Sequence, residues 1–590
     1  MCGISGCIDL NRKISDEVIV SMNDSLKHRG PDDSGIYISD DRNVALAHQR
    51  LSFLDLSELG RQPMKDNSGQ VVISFNGEIY NYLELKEELK ANYSFETHTD
   101  TEVVLAGYTK WGIDVVNKLE GMFAFALFDS KKQKLFLVRD RFGIKPLYYF
   151  LSGSTLVFGS ELKAIVYHPA FARQLDYSAF CDFFIYRYVP SPKSIWKNTY
   201  KVSPAQYVEF DVNNLSFTSA EYWQPEFSDK KIKPADLASQ VDTILLDSVK
   251  KQLRSDVPIG SFLSGGYDSS SLVYYMHRLG YKPSVYSIGF KDWQESEHNY
   301  AKVVADKFKL ELEVTIADGN NLNLLDEMPM VYDEPLADIS IIPTYMVSQL
   351  ASKKVKAVFS GEGADEIFGG YTWQKNFFAM NESRSWNEKI RNWFKPVDTV
   401  EYYANSMAMG IFGKDELKNF LQPEYHQHIP DDLNWFFRKQ FKKGLSPLKS
   451  VQHLDMKCFM GEMVLTKMDR ASMFHSLEVR VPFLSHKLYE TVFAHDENSY
   501  YKTDVTKYLL FENVKKHLPE KILKREKQGF VGPAEYYTNM DWYRKILSKS
   551  KLAEAGIANK NFISEKLQAN DYWILWKLAV MEKWFEKWGN

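Results

Sequence analysis

Up to about Asp211 the apolar residues come in short runs bounded by turn residues, which is the grammar of strands. Residues 71–75 form a β-branched run that ends at Asn76-Gly77, and Glu78-Ile79-Tyr80-Asn81 reads as the start of a helix. Residues 123–129 and 134–139 flank Ser130-Lys131-Lys132-Gln133, and residues 146–150 and 155–159 flank Leu151-Ser152-Gly153-Ser154, so two hairpins are expected. Helical segments are expected at 83–90 and 102–111. Strands joined by hairpins, with helices between them, predict a layered α+β domain over residues 2–212.

From 213 to 234 prolines and charges interrupt the periodicity, and the stretch reads as a linker. A helix is expected at 235–254. Strands and helices then alternate: strands at 258–263, 284–290, 310–316 and 356–359, helices at 269–279, 299–308 and 343–353. That order predicts an α/β, doubly wound, mainly parallel sheet in a second unit over residues 235–590, with ligands at the carboxyl ends of its strands. Beyond Phe377 the chain reads as largely helical and rich in aromatics.

Composition narrows the class. A chain of 590 residues is too long for one core, which agrees with two units. Apolar residues make up 44% and charged residues 25%, as in a soluble globular protein. The net charge of −4 offers no basic field to nucleic acid or an anionic membrane. The four cysteines, Cys2, Cys7, Cys181 and Cys458, are too scattered for a disulfide framework and contain no C-x-x-C pair, so a reducing, cytoplasmic setting is expected. The opening residues lack the pattern of a signal peptide, and the longest apolar run, near 121–128, is too short to span a bilayer.

Cys2 follows the initiator Met, and removal of that Met would leave a thiol beside a free α-amine, a nucleophile with a base built in. Alone, Cys2 reads as a buried cysteine. Its neighbours change that. Asn76 beside the N–H of Gly77 can form an oxyanion hole, although an Asn-Gly pair by itself usually marks a turn. Arg50 offers a planar fork suited to a carboxylate, and Asp100 could receive an amino group.

Met1-Cys2-Gly3-Ile4-Ser5-Gly6, His28-Arg29-Gly30-Pro31-Asp32, Arg50-Leu51-Ser52, the stretch from Phe75 to Asn81, and Asp140-Arg141-Phe142-Gly143-Ile144-Lys145-Pro146 together resemble the glutaminase domain of class II glutamine amidotransferases. The resemblance implies an N-terminal-nucleophile fold, an αββα sandwich. It implies that Cys2 attacks the glutamine amide and that Asn76 and Gly77 hold the oxyanion. Arg50 would bind the glutamine carboxylate, and Glu78 and Asp100 would help bind its amino group.

In the second half, Ser264-Gly265-Gly266-Tyr267-Asp268-Ser269-Ser270 lies between an expected strand and helix. Glycines let the backbone close on an anion, and the helix N-terminus supplies positive potential for phosphate. Asp268 adds a hard oxygen ligand for Mg²⁺. A second loop, Ser360-Gly361-Glu362-Gly363-Ala364-Asp365-Glu366, also follows a strand, so the two could face each other across a crevice. There is no P-loop or dinucleotide fingerprint and no G-x-S-x-G elbow.

These loops, with Leu477-Glu478-Val479-Arg480-Val481-Pro482-Phe483-Leu484 and Lys527-Gln528-Gly529-Phe530, resemble the pyrophosphate-loop ATP-binding domain of asparagine synthetases. The resemblance implies that adenine packs near Phe262, Leu263 and Ile288, with Ser360 and Gly361 contacting the nucleotide. Ser264, Gly265, Gly266, Asp268 and Ser269 would hold the pyrophosphate, and Asp268 and Asp365 would bind Mg²⁺. Glu362 would support acyl-adenylate formation, and Lys507 would neutralise the leaving pyrophosphate. Two positions depart from the family pattern: Tyr267, expected to face away from phosphate, and Ser485. The implied activity is ATP- and glutamine-dependent amidation of aspartate, by a possible homodimer. The alternative is the same chemistry on another carboxylate, such as a sugar uronic acid; Asp333 to Ser340 are expected to line the acceptor pocket. A non-catalytic relative would tolerate loss of Cys2, Asp268 or Glu362, and a β-lactam-forming one would not need Cys2; all three residues are present.

Overall fold

The structure, a computed structural model, describes residues 2–382, 398–525, 528–529, 532 and 537–589. Its first twelve strands are β1 (Gly3–Asp9), β2 (Asp33–Ile38), β3 (Val44–Arg50), β4 (Met64–Lys65), β5 (Val71–Ile79), β6 (Gly121–Asp129), β7 (Lys134–Arg139), β8 (Tyr148–Ser152), β9 (Thr155–Gly159), β10 (Thr199–Lys201), β11 (Gln206–Asp211) and β12 (Phe217–Glu221). They form two antiparallel six-stranded sheets, in the orders β10-β8-β9-β1-β3-β2 and β12-β11-β7-β6-β5-β4. Period-two alternation builds both cores at once. On β6, Ala124, Ala126 and Phe128 turn inward between the sheets, while Phe123, Phe125 and Leu127 turn outward onto the helices Tyr82–Leu89 and Asp100–Trp111. The helices Asp16–Asp24 and Leu162–Val166 cover the other sheet, completing the αββα sandwich.

The second half carries β13 (Ile259–Phe262), β14 (Val285–Phe290), β15 (Leu312–Ala317), β16 (Ala357–Phe359) and β17 (Glu478–Arg480), all parallel, in the order β15-β14-β13-β16-β17. The winding reverses between β13 and β16, which opens a crevice at the carboxyl ends of those two strands. Long helices follow, ending in Tyr572–Trp588. That helix buries Trp576, Trp584 and Trp588, whose indole N–H groups donate to the carbonyls of Ala337, Asp333 and Pro329 at 3.2, 3.1 and 2.8 Å. No helix among the described residues is long and apolar enough to cross a membrane.

Two expectations are corrected, and one strand is new. Residues 76–79 do not begin a helix: β5 runs through them to Ile79 and pairs with β6 along its whole length. Gly77 stands in a strand because the partner backbone is close; a Cβ there would lie 2.2 Å from the carbonyl of Met122. The stretch 213–234 is not all linker, because β12 adds an edge to the second sheet. Its side chains are nearly all exposed, so no apolar alternation reveals it. The strand β17, too short for a visible period, was read only as part of a motif.

Candidate active sites

The first site forms where the two sheets of the sandwich meet. Pairing of Gly3 with Gln49 brings Cys2 to the end of β3, beside Arg50. The Cys2 backbone N–H donates to Asn76 Oδ1 at 2.9 Å, and its Sγ lies 4.0 Å from the Leu51 carbonyl. Burial pushes the thiol pKa up. Asn76 is fully buried, and its Nδ2 has no hydrogen-bond partner among the described residues. A desolvated donor left without an acceptor is costly, and it is poised for one that arrives with a substrate.

Arg50 is held by three carbonyls, those of Ser57 (3.0 Å), Leu54 (3.3 Å) and Asp55 (2.5 Å). Gly60 allows this, since a Cβ there would sit 2.0 Å from the guanidinium. Asp100 opens a helix capped by Thr99, and its Oδ2 accepts the Ile79 N–H at 2.8 Å. Glu78 lies 3.4 Å from Arg480, which also pairs with Glu478 at 2.6 Å. Burial raises the pKa of Asp100 to about 6 and that of Glu78 well above its ordinary value, with Glu478 pushing both the same way. Three buried carboxyls so close together hold each other's protons, and an incoming ammonium would favour their ionised forms.

The second site lies in the crevice. After β13, Gly265 turns at φ +69°, where a Cβ would be 2.4 Å from the Tyr300 backbone. Gly266, which has no side chain to cap with, is the N-cap of the helix Tyr267–Arg278, so the loop delivers a helix N-terminus to the crevice, a cradle for phosphate. Ser264 and Ser269 brace the loop, Oγ to Oγ at 3.1 Å. After β16, Gly361 packs against it, so that a Cβ there would be 2.9 Å from Asp268 Cβ. The two loops bound a cavity of about 500 Å³, within the usual range for small-molecule sites. Phe262, Leu263, Ser264, Asp268, Ser269, Ile288, Ser360, Gly361, Glu362 and Asp365 all line it. Glu362 Oε2 is buried and has no hydrogen-bond partner among the described residues.

Lys507 sits behind this wall, with Nζ 2.5 Å from Asp268 and 2.7 Å from Asp365. The pair of carboxylates suits Mg²⁺, which commonly takes one or two protein carboxylates plus substrate phosphates. No group of three or more His, Cys, Asp or Glu able to hold a metal exists among the described residues. Tyr267 points away from the loop, its hydroxyl donating to the Leu523 carbonyl at 3.0 Å. Ser485 caps the helix His486–Phe493 without a side-chain hydrogen bond. Gln528 and Gly529 line the cavity, while Lys527 and Phe530 lie outside the described residues.

A buried network of charge joins the sites. Arg29 donates through Nε to the Cys2 carbonyl at 3.1 Å and through Nη1 to Glu161 at 2.6 Å and Asp469 at 2.8 Å. Arg470 reaches Glu161 at 3.0 Å and Asp333 at 3.4 Å. Sequence reasoning missed Arg29, Glu161, Asp469 and Arg470 as a unit, because burial and pairing are invisible in one dimension. For Glu478 and Arg480 there was a signal, two charges alternating with apolar residues in one short run.

Comparison with known proteins agrees with both halves. A sequence model of the glutamine amidotransferase domain matches residues 1–223, and one of asparagine synthase matches residues 240–586. A protein of Methanocaldococcus jannaschii, provisionally named glutamine-hydrolysing asparagine synthetase 2, is 37% identical over 526 residues, covering 82% of this chain and all of its own. Glutamine-hydrolysing asparagine synthetase 1 of Bacillus subtilis is 32% identical over 99% of this chain and 97% of its own. Amidase chry2 of Gibberella zeae is 28% identical over 95% of this chain and 93% of its own.

Proposed function

The chain belongs to the glutamine-hydrolysing asparagine synthetase family, and we propose that it moves the amide nitrogen of glutamine onto the side-chain carboxylate of aspartate. The observation that carries this reading is the Asn76 amide: its Oδ1 receives the Cys2 N–H and its Nδ2 is buried without a partner among the described residues. That is the arrangement of a nucleophile beside an oxyanion donor.

In this proposal residues 2–212 form the glutaminase and residues 235–590 the synthetase. Cys2 attacks the glutamine amide carbon, its thiol proton passing to the α-amine freed by loss of Met1. Asn76 Nδ2 and the Gly77 N–H hold the oxyanion, Arg50 holds the glutamine carboxylate, and Glu78 and Asp100 hold its ammonium. Collapse, with that proton passed on from the α-amine to the leaving nitrogen, expels ammonia and leaves a thioester, which water cleaves to glutamate and the free Cys2 thiol. In the crevice an aspartate carboxylate oxygen attacks the α-phosphorus of ATP and pyrophosphate leaves. Phe262, Leu263, Ile288, Ser360 and Gly361 hold the nucleoside, and the loop from Ser264 to Ser269 holds the phosphates. Mg²⁺ held by Asp268 and Asp365 would offset triphosphate charge. Lys507 stabilises the departing pyrophosphate, and Glu362 assists at the acyl-adenylate. Ammonia then attacks the acyl carbon, releasing AMP and asparagine. All four cysteines are free and buried, which suits a reducing, cytoplasmic setting.

A second reading keeps this chemistry and makes the acceptor a sugar uronic acid. It draws on a cavity of about 190 Å³ with Tyr186, Tyr188, Tyr403 and Phe437 in its walls, which shares Arg187, Met407 and Phe459 with the larger one. Aromatic walls of this kind suit a sugar ring. Incubation with Mg-ATP, aspartate and ¹⁵N-amide glutamine separates the two. Labelled asparagine with AMP and pyrophosphate supports aspartate, with Cys2→Ala working only on ammonium. Glutamine hydrolysis without asparagine or AMP rejects aspartate, and the same assay on uronic acids follows.

A further inference from the structure

The large cavity has a second end, walled by Arg187, Asp338, Ser340 and Lys467. Arg187 closes the helix Tyr177–Tyr186 at φ +74°, the left-handed region that glycine adopts most easily. A bulky residue kept in that conformation points to a use for its side chain. Its carbonyl accepts the Ala337 N–H at 2.8 Å, which ties it to the stretch carrying Asp338 and Ser340. Its Nη1 reaches to 2.6 Å from Met409 Sδ, and Met409 is itself a wall of the cavity, so the guanidinium end faces that space.

The guanidinium is buried, yet among the described residues it forms no ion pair. Asp338 is engaged by the Ser340 N–H at 2.8 Å and by Lys467 at 3.6 Å. Lys577, also buried close by, donates to the carbonyls of Phe184 and Gly410, both at 2.7 Å. Two basic side chains, Arg187 and Lys467, therefore wall this end against one carboxylate, Asp338. A desolvated planar fork facing a cavity is the complement of a carboxylate.

We propose that Arg187 binds the second carboxylate of the acceptor, the α-carboxylate of aspartate, while the reacting carboxylate lies toward Ser360 and Glu362. Asp338 then faces the α-ammonium. Arg187 is a specificity residue in this scheme: it reads a group that takes no part in bond making. The inference rests on the aspartate reading of the synthetase site.

The test uses the full chain with Mg-ATP and ammonium chloride, so that the glutaminase is bypassed, and compares aspartate with its α-amide. The amide keeps the reacting carboxylate and neutralises the other. AMP formation by wild type should favour aspartate in kcat/KM by about 10–100-fold, the worth of a charged hydrogen-bonded pair. Arg187→Gly, which suits the left-handed backbone, should bring that ratio close to one, mainly by raising KM for aspartate. Arg187→Lys should restore part of it. A purely structural role would shift the melting midpoint and leave the ratio alone. An unchanged ratio in Arg187→Gly overturns the inference. Absence of aspartate-dependent AMP from wild type overturns the aspartate reading and this inference with it.

Discussion

Arg29 and Asp469 meet across the boundary between the two halves in a two-point ion pair, Nη1 to Oδ2 at 2.8 Å and Nη2 to Oδ1 at 3.2 Å, both side chains buried. The same Arg29 holds the Cys2 carbonyl, and Asp469 shares the helix Leu465–Met473 with Lys467, which walls the cavity. One side chain thus connects the backbone of the nucleophile to the helix of the other site. Removing one partner of a buried pair costs about 3–5 kcal/mol, because the other charge is stranded. Arg29→Met should lower the thermal midpoint and reduce glutamine-dependent synthesis more than ammonium-dependent synthesis. Parallel assays with the two nitrogen sources check this; equal losses with both would show that the pair only holds the halves together.

The amide of Asn76 can be divided into its two roles. Asn76→Asp keeps an oxygen for the Cys2 N–H and removes the donor, while Asn76→Ala removes both. Loss of one oxyanion donor typically lowers kcat by about 10²–10³. Both variants should lose glutamine hydrolysis on that scale and keep ammonium-dependent synthesis. If Asn76→Asp hydrolyses glutamine at the wild-type rate, Nδ2 is not the oxyanion donor.

Asp100 gives the glutaminase a pH limit with a definite sign. Burial raises its pKa to about 6, so in the free site the carboxyl is protonated below that pH and ionised above it. Binding an ammonium requires the ionised form. Glutamine should therefore bind more weakly as pH falls through about 6, by up to about tenfold per unit. Folding carries the corresponding sign: because the folded pKa lies above the ordinary 3.8, this group's contribution to stability falls as pH rises from about 4 to 6. A KM profile for glutamine between pH 5 and 8 reads the effect, set against Asp100→Asn, which should bind weakly throughout and lose the inflection near 6. A wild-type profile equally flat rejects the assignment.

Much of this was legible in the chain because local chemistry and global fold agree there. The hairpins at 130–133 and 151–154 form as the turn residues imply, and the strand–helix alternation after 258 gives the parallel sheet and both glycine loops. The failures share one cause. Glu78 to Asn81 read as a helix start, whereas β5 stays paired with β6 as far as Ile79, with Gly77 close against the Met122 carbonyl. β12 escapes because a solvent-facing edge strand carries no burial pattern. Arg187 and Lys467, at one end of the large cavity, lie 280 residues apart and are joined only by folding. Charge that is buried and paired at long range leaves no period to detect.

Lys507 is the residue proposed to act on departing pyrophosphate. Its ammonium bridges Asp268 and Asp365, and a Cβ on Gly370 would lie 2.3 Å from its Cε, so the side chain is confined as well as paired. A confined cation paired with two carboxylates behind the cradle wall can stabilise charge on departing pyrophosphate without first being ordered. Lys507→Met should lower AMP and pyrophosphate formation by about 10²–10³ and leave glutamine hydrolysis in place. Lys507→Arg should not rescue it, since the larger head group has no room beside Gly370. Withholding Mg²⁺ should stop AMP formation in wild type in the same way, with hydrolysis continuing. Measuring AMP and glutamate release in one reaction decides the point: AMP formation that survives in Lys507→Met would leave this lysine a structural brace for the two aspartates and nothing more.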